Sequence, residues 1–145
     1  MGKRRQAREC ALQILFQLEF HSGDPRDVVR AYWESRKSAR EAREYGTWLV
    51  ERTLEHGEAI DRAIQSESKN WRLARMAVID RNILRIAVAE LLYEPTLGPA
   101  IVMDEAIEIA KRYSGEGSAV FVNGILDAVV RRLAAKPDRP AEEKP

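Results

Sequence analysis

Four cations open the chain ahead of its first acid: Lys3, Arg4, Arg5 and Arg8 all precede Glu9. On a helix that advances about 100° per residue, Arg4, Arg5 and Arg8 fall at roughly 0°, 100° and 40°, forming one broad fan. Planar guanidinium groups grip phosphates through paired hydrogen bonds and stack on exposed bases, so this fan suits RNA or DNA. The plainer alternative is a solvated, frayed helix start. Cations at that end oppose the helix dipole, so the cluster works against helix stability. The same segment carries Leu12, Phe16 and Phe20, at about 80° to 160° on the same wheel. The main apolar stripe of Ala7, Cys10, Ala11, Ile14, Leu15 and Leu18 centres at about 310°. Helix one therefore has two apolar faces, and the second is either buried between other helices or docks a partner protein.

Other chemistry finds little support. Glu105 and Glu108 stand one helical turn apart, as a carboxylate pair or half a metal site would, but no Glu-x-x-His accompanies them. A solvated helix face is the expectation there. Gly115-Glu116-Gly117 lacks the preceding strand that a phosphate loop needs, and no nucleophile-elbow serine is present. Cys10 lies on the apolar stripe, where it reads as a small buried hydrophobe. His21 and His56 are far apart and lack metal-ligand spacing. No catalytic residue, metal or cofactor is expected.

The elements that must position the arginines are helical throughout, with no convincing strand alternation. The chain has 145 residues, of which 45% are hydrophobic and 32% charged, enough for one folded domain over 1–135. A tail over 136–145, with Pro137, Pro140 and Pro145, is expected to be disordered. Lys and Arg number 24 against 23 Asp and Glu, so a basic surface has to come from local clustering. One cysteine excludes an internal disulfide. The charges of Arg8 and Glu9 interrupt the apolar region a signal peptide would need, and no apolar run reaches the ~20 residues of a membrane span. A cytoplasmic protein without membrane contact is the simplest expectation.

Along the chain, a first helix is expected from about residue 3 to residue 21. Asp24-Pro25 caps a second, and a long charged helix from about Ser38 passes Gly57, which bends or splits it. An apolar helix spans 82–93, another starts at Pro99, and a break over 114–117 precedes the last, giving six or seven helices.

Four blocks resemble the NusB family of transcription antitermination factors. Arg4-Arg5-Gln6-Ala7-Arg8-Glu9-Cys10-Ala11 with Leu15-Phe16 is similar to its opening, and Asp80-Arg81-Asn82-Ile83-Leu84-Arg85-Ile86-Ala87 with Glu90-Leu91 to its central helix. Glu105-Ala106-Ile107-Glu108-Ile109-Ala110-Lys111 and Phe121-Val122-Asn123-Gly124-Ile125-Leu126-Asp127 resemble its last two helices. The resemblance implies an all-α fold, with two three-helix subdomains sharing one core. It implies binding of boxA RNA in ribosomal RNA leader transcripts, pairing with NusE, a small-subunit ribosomal protein, and loading onto RNA polymerase with other Nus factors. The family's RNA-contacting arginines map onto Arg4, Arg5 and Arg8 beside Lys3, although Gln6 interrupts the arginine run found in some relatives. Phe121 maps onto an aromatic near the RNA path, where a core role stays open. Lys111 and Arg112 would extend the basic surface. The positions facing NusE map onto Phe16 and Asp80, with Leu12 on the same row and partly core. Asn123 and Gly124 are read structurally, as small and polar residues near a helix start that permit close packing.

Two other readings remain. The same helical domain occurs at the front of ribosomal RNA cytosine methyltransferases, and a chain ending at Pro145 would then be a detached RNA-binding piece. Some members of the family pair with themselves, so a homodimeric interaction protein is the third.

Overall fold

The computed structural model describes residues 2–135, within which the chain forms seven α-helices, one 3-10 turn and no strand. The helices are α1 (Lys3–Glu19), α2 (Pro25–Glu34), α3 (Arg40–Glu55), α4 (Gly57–Ser66), α5 (Val78–Tyr93), α6 (Pro99–Tyr113) and α7 (Glu116–Ala135), with the 3-10 turn at Leu73–Arg75. The expected tail from residue 136 lies outside the described residues.

Local chemistry sets most of the boundaries. The Asp24 side chain accepts a hydrogen bond from the Arg26 backbone N–H at 2.9 Å, and Pro25 supplies a preset φ at the first position of α2. The long charged segment is split rather than bent: His56 leaves helical geometry at φ −112 and ψ 30, and α4 begins at Gly57. Between α6 and α7 only Ser114 and Gly115 break the helix. Gly115 adopts φ 122, a conformation that costs a residue with a Cβ, while Gly117 already lies inside α7. Helix α5 starts at Val78, four residues ahead of the expected 82, because its N-terminal turn is amphipathic rather than wholly apolar.

Helices α1 to α3 pack as one group and α5 to α7 as another, with α4 against α5 and α7. Helix α5 is central and touches α1, α3, α4, α6 and α7. One continuous core joins Ile14, Leu49, Ile60, Leu84, Val88, Val102 and Leu126 from both groups. Gly46 allows the close approach of α1 and α3, since a Cβ there would lie 3.2 Å from the Ala7 carbonyl oxygen and 3.2 Å from the Trp33 ring. The ion pairs fix direction: α1 runs alongside α6 and opposite to α5, with Arg5 at Glu105, Arg8 at Glu90 and Glu19 at Arg81. The start of α1 and the start of α5 thus lie at opposite ends of the molecule. None of the described helices is long and apolar enough to cross a membrane.

Candidate RNA and partner interface

At the basic end, α1 starts with neither a side-chain cap nor an acid in its first turn. Its cations instead find partners on α3, α5 and α6. Lys3 Nζ lies 2.9 Å from Glu41, with both side chains well exposed. The Arg4 guanidinium sits over the Tyr45 ring at 3.8 Å from its centre. Arg5 donates from Nε and Nη2 to the two oxygens of Glu105, the latter bond at 3.0 Å. That pairing raises the Arg5 pKa and, through the same hydrogen bonds, holds the Glu105 carboxyl below its ordinary value. Glu105 is therefore not on the solvated face expected of it. An open groove of about 500 Å³ runs past Arg4, Arg5, Leu97 and Ile101, whose side chain is exposed.

Arg8 departs from its expected role. It is 4% exposed and its Nε lies 3.0 and 2.9 Å from the two oxygens of Glu90, itself 1% exposed. Tyr45 donates its hydroxyl proton to the same carboxylate, and Arg8 Nη1 lies 3.5 Å from Glu105. Burial, then the Glu90 charge, push the Tyr45 pKa up, so the phenol stays a donor. A buried carboxylate in an apolar helix demands a paired cation, and Arg8 is consumed by that demand. It anchors α1 and leaves Lys3, Arg4 and Arg5 as the cations at the surface.

Lys111 and Arg112 occupy the last turn of α6, where positive charge complements the helix dipole. Both are exposed, with Lys111 3.7 Å from Glu108 and Arg112 3.2 Å from Glu9 on α1. Phe121 is half-buried and packs against the core, while its ring meets Trp71 edge-on at 6.2 Å and 89°. Trp71 is 58% exposed and is not among the site residues expected from the sequence. Asn123 and Gly124 also differ from expectation. They are exposed in the middle of α7, and a Cβ on Gly124 would meet nothing within 4 Å, so close packing does not account for the glycine.

The second apolar face of α1 divides along its length. Leu12 is 2% exposed and belongs to the core, because α5 and α6 cover that turn. Phe16 is 41% exposed and Phe20 71%, and their rings meet edge-on at 5.2 Å. This pair is an unsatisfied apolar surface at the end of α1. Beside it Glu19 binds Arg81 at 2.9 Å and Arg85 at 3.2 Å, and Arg85 reaches Asp61 at 2.9 Å. Asp80, expected to face NusE, is buried. It is 8% exposed in the first turn of α5, where its charge suits the helix dipole, and one carboxylate oxygen accepts from Ser118 at 3.2 Å. Its other oxygen has no hydrogen-bond partner among the described residues. Cys10 is buried, and the described residues contain no cluster of His, Cys, Asp and Glu able to hold a metal.

Comparison with known proteins gives one consistent answer. The model of the NusB family matches residues 5–131. The transcription antitermination protein NusB of Trichlorobacter lovleyi is 46% identical over 127 residues, covering 88% of this chain and 89% of that protein. The NusB protein of Sorangium cellulosum is 43% identical over 133 residues, with 92% and 95% covered. Among solved structures, NusB of T. maritima superposes with a TM-score of 0.80 at 38% identity, over 88% of this chain and 90% of that one. A crystal structure of the antitermination factors NusB and NusE in complex with double-stranded RNA gives a TM-score of 0.82 at 28% identity, over 91% and 98%.

Proposed function

The chain belongs to the NusB family, and on that basis we propose that it is a transcription antitermination factor that binds leader RNA together with NusE. The RNA is the boxA element of ribosomal RNA leader transcripts, and the pair joins RNA polymerase with other Nus factors in the cytoplasm. The protein acts by binding, with no catalytic step of its own.

The observation that carries this reading is the division of labour along α1. Its first turn presents Lys3, Arg4 and Arg5 beside an open groove, and its last turn with the C-cap residue presents the Phe16–Phe20 pair. Guanidinium groups recognise phosphate and bases, while aromatic residues, Phe included, are enriched at the cores of protein interfaces. One rigid helix, pinned at Arg8–Glu90 and at Glu19–Arg81, thus holds an RNA contact and a protein contact in fixed register. Arg5 keeps donor capacity beyond the two hydrogen bonds it gives Glu105, because a guanidinium carries five N–H groups. Arg112 meets Glu9 of α1, and with Lys111 in the same last turn of α6 it extends the positive surface.

The protein contact is tested by size-exclusion chromatography with purified NusE. Phe16→Glu is expected to abolish co-elution while the melting temperature stays near that of the wild type, since the side chain is already 41% exposed. Phe16→Ala should weaken the complex less. A Phe16→Glu protein that still co-elutes fully would place the NusE contact elsewhere.

A further inference from the structure

The surface cations of α1 each already have a partner within the chain. Lys3 and Arg5 each face a carboxylate, and Arg4 lies on Tyr45. In contrast, Lys69, Arg72 and Arg75 are exposed and make no ion pair or hydrogen bond through their side chains among the described residues. The one acid close by in sequence, Glu67, is taken by Arg132 at 2.9 Å. In the middle of this basic segment stands Trp71, 58% exposed, its ring meeting that of Phe121 at right angles.

The segment is braced from both sides through its backbone. Gln65 donates to the carbonyl oxygens of Ser68 at 3.0 Å and Trp71 at 2.9 Å, and accepts from the Leu73 N–H at 2.8 Å. Ser68 donates its hydroxyl proton to the same Trp71 carbonyl at 2.8 Å. Arg81 donates to the carbonyls of Leu73 at 3.2 Å and Ala74 at 3.4 Å. A large aromatic side chain is thereby held in water on a fixed backbone, flanked by three free cations. Apolar burial does not explain Trp71, and helix stability does not explain the cations, which lie outside the α-helices.

We propose that the braced segment 69–75 is a second contact for single-stranded RNA, in which Trp71 stacks on a splayed base and Lys69, Arg72 and Arg75 hold the adjoining phosphates. Cations that track the backbone, interleaved with an aromatic that takes a base, are the combination single-stranded nucleic acid needs. The inference rests on the RNA-binding reading above and adds a contact at the opposite end of α1 from Arg4 and Arg5. Helix α1 has 17 residues, so the two contacts are about 25 Å apart along its axis. The RNA would therefore span the molecule instead of resting on one end.

The experiment titrates a fluorescein-labelled single-stranded RNA oligonucleotide, long enough to span both ends, at several salt concentrations. It compares the wild type, Arg4→Ala, Trp71→Ala, Trp71→Phe and the combined Lys69→Ala, Arg72→Ala and Arg75→Ala protein, each checked for helicity and melting temperature. The triple variant should flatten the slope of log affinity against log salt by about 2, at roughly 0.7 per lost contact. Trp71→Ala should weaken binding by about 5- to 140-fold at unchanged slope, and Trp71→Phe should restore most of it. Loss of folding is not expected, because the braces use backbone groups of Trp71 and the three cations are exposed. If Arg4→Ala weakens binding while the segment variants do not, RNA binding stands and the second contact is wrong. Full RNA affinity with a lost protein complex would make the segment a protein-docking site and overturn the proposal. A wild-type protein that fails to bind the RNA would remove both readings.

Discussion

Arg8→Ala separates an anchoring arginine from an RNA-contacting one. The substitution leaves Glu90, 1% exposed, without its cation and, among the described residues, with the Tyr45 hydroxyl as its remaining donor. Breaking a buried pair on one side costs about 3–5 kcal/mol, because the remaining charge keeps its desolvation penalty. For a domain of this size that corresponds to a fall of about 10–15 °C in melting temperature. Arg8→Met combined with Glu90→Leu removes both charges and keeps the volume apolar. Such exchanges are often neutral or stabilising, so the double variant should recover most of the loss. Thermal unfolding followed by circular dichroism reads both numbers, and RNA titration of the folded double variant reads the function. The double variant should bind RNA nearly as well as the wild type, since Arg4 and Arg5 remain. A single variant with unchanged melting temperature and lost RNA affinity would refute the anchoring role.

Two further outcomes follow from single side chains. The Glu105 carboxyl is held below its ordinary 4.5 by the hydrogen bonds from Arg5, so on acidification the unfolded chain takes up that proton first. The pair's stabilisation is full at neutral pH and fades as pH falls below about 4.5; urea midpoints of wild type and Glu105→Gln should therefore converge in acid, and a constant gap would contradict the pairing. Gly124→Ala fills open space in the middle of α7 and should raise stability by roughly 0.5–1 kcal/mol in denaturant titrations. A loss there would mean that the glycine serves the packing after all.

The helical architecture was legible because the signals were local: the Asp24-Pro25 cap, the proline at 99 and the apolar spacing of α1, α5 and α7 each fix an element within a few residues. The resemblance to the NusB family then gave the arrangement of subdomains, which periodicity does not provide. Residue roles were harder where a long-range partner decides them. Arg8 falls at about 40° on the wheel, between Leu15 and Leu12, and Glu90 is the lone acid in the apolar stretch of α5. Together those two anomalies signal a buried pair, but nothing in the sequence joins positions so far apart. Leu12 and Phe16 share a row, yet only the turn covered by α5 and α6 is buried. Asp80 looked like a surface acid because the depth of the α5 start depends on Ser118 of α7. Trp71 was missed for the opposite reason. Its exposure comes from a backbone fixed by Gln65 and Ser68, in which Leu73 rather than Trp71 packs against the core.

The central claim is that this chain and NusE form a joint surface for leader RNA. Fluorescence anisotropy of a labelled boxA oligonucleotide, titrated with the chain, with NusE and with the equimolar pair, tests it most directly, with a scrambled oligonucleotide of the same composition alongside. The pair should bind boxA more tightly than either protein alone and more tightly than the scrambled RNA. Equal affinity for the two RNAs, or no gain on adding this chain to NusE, would contradict the account.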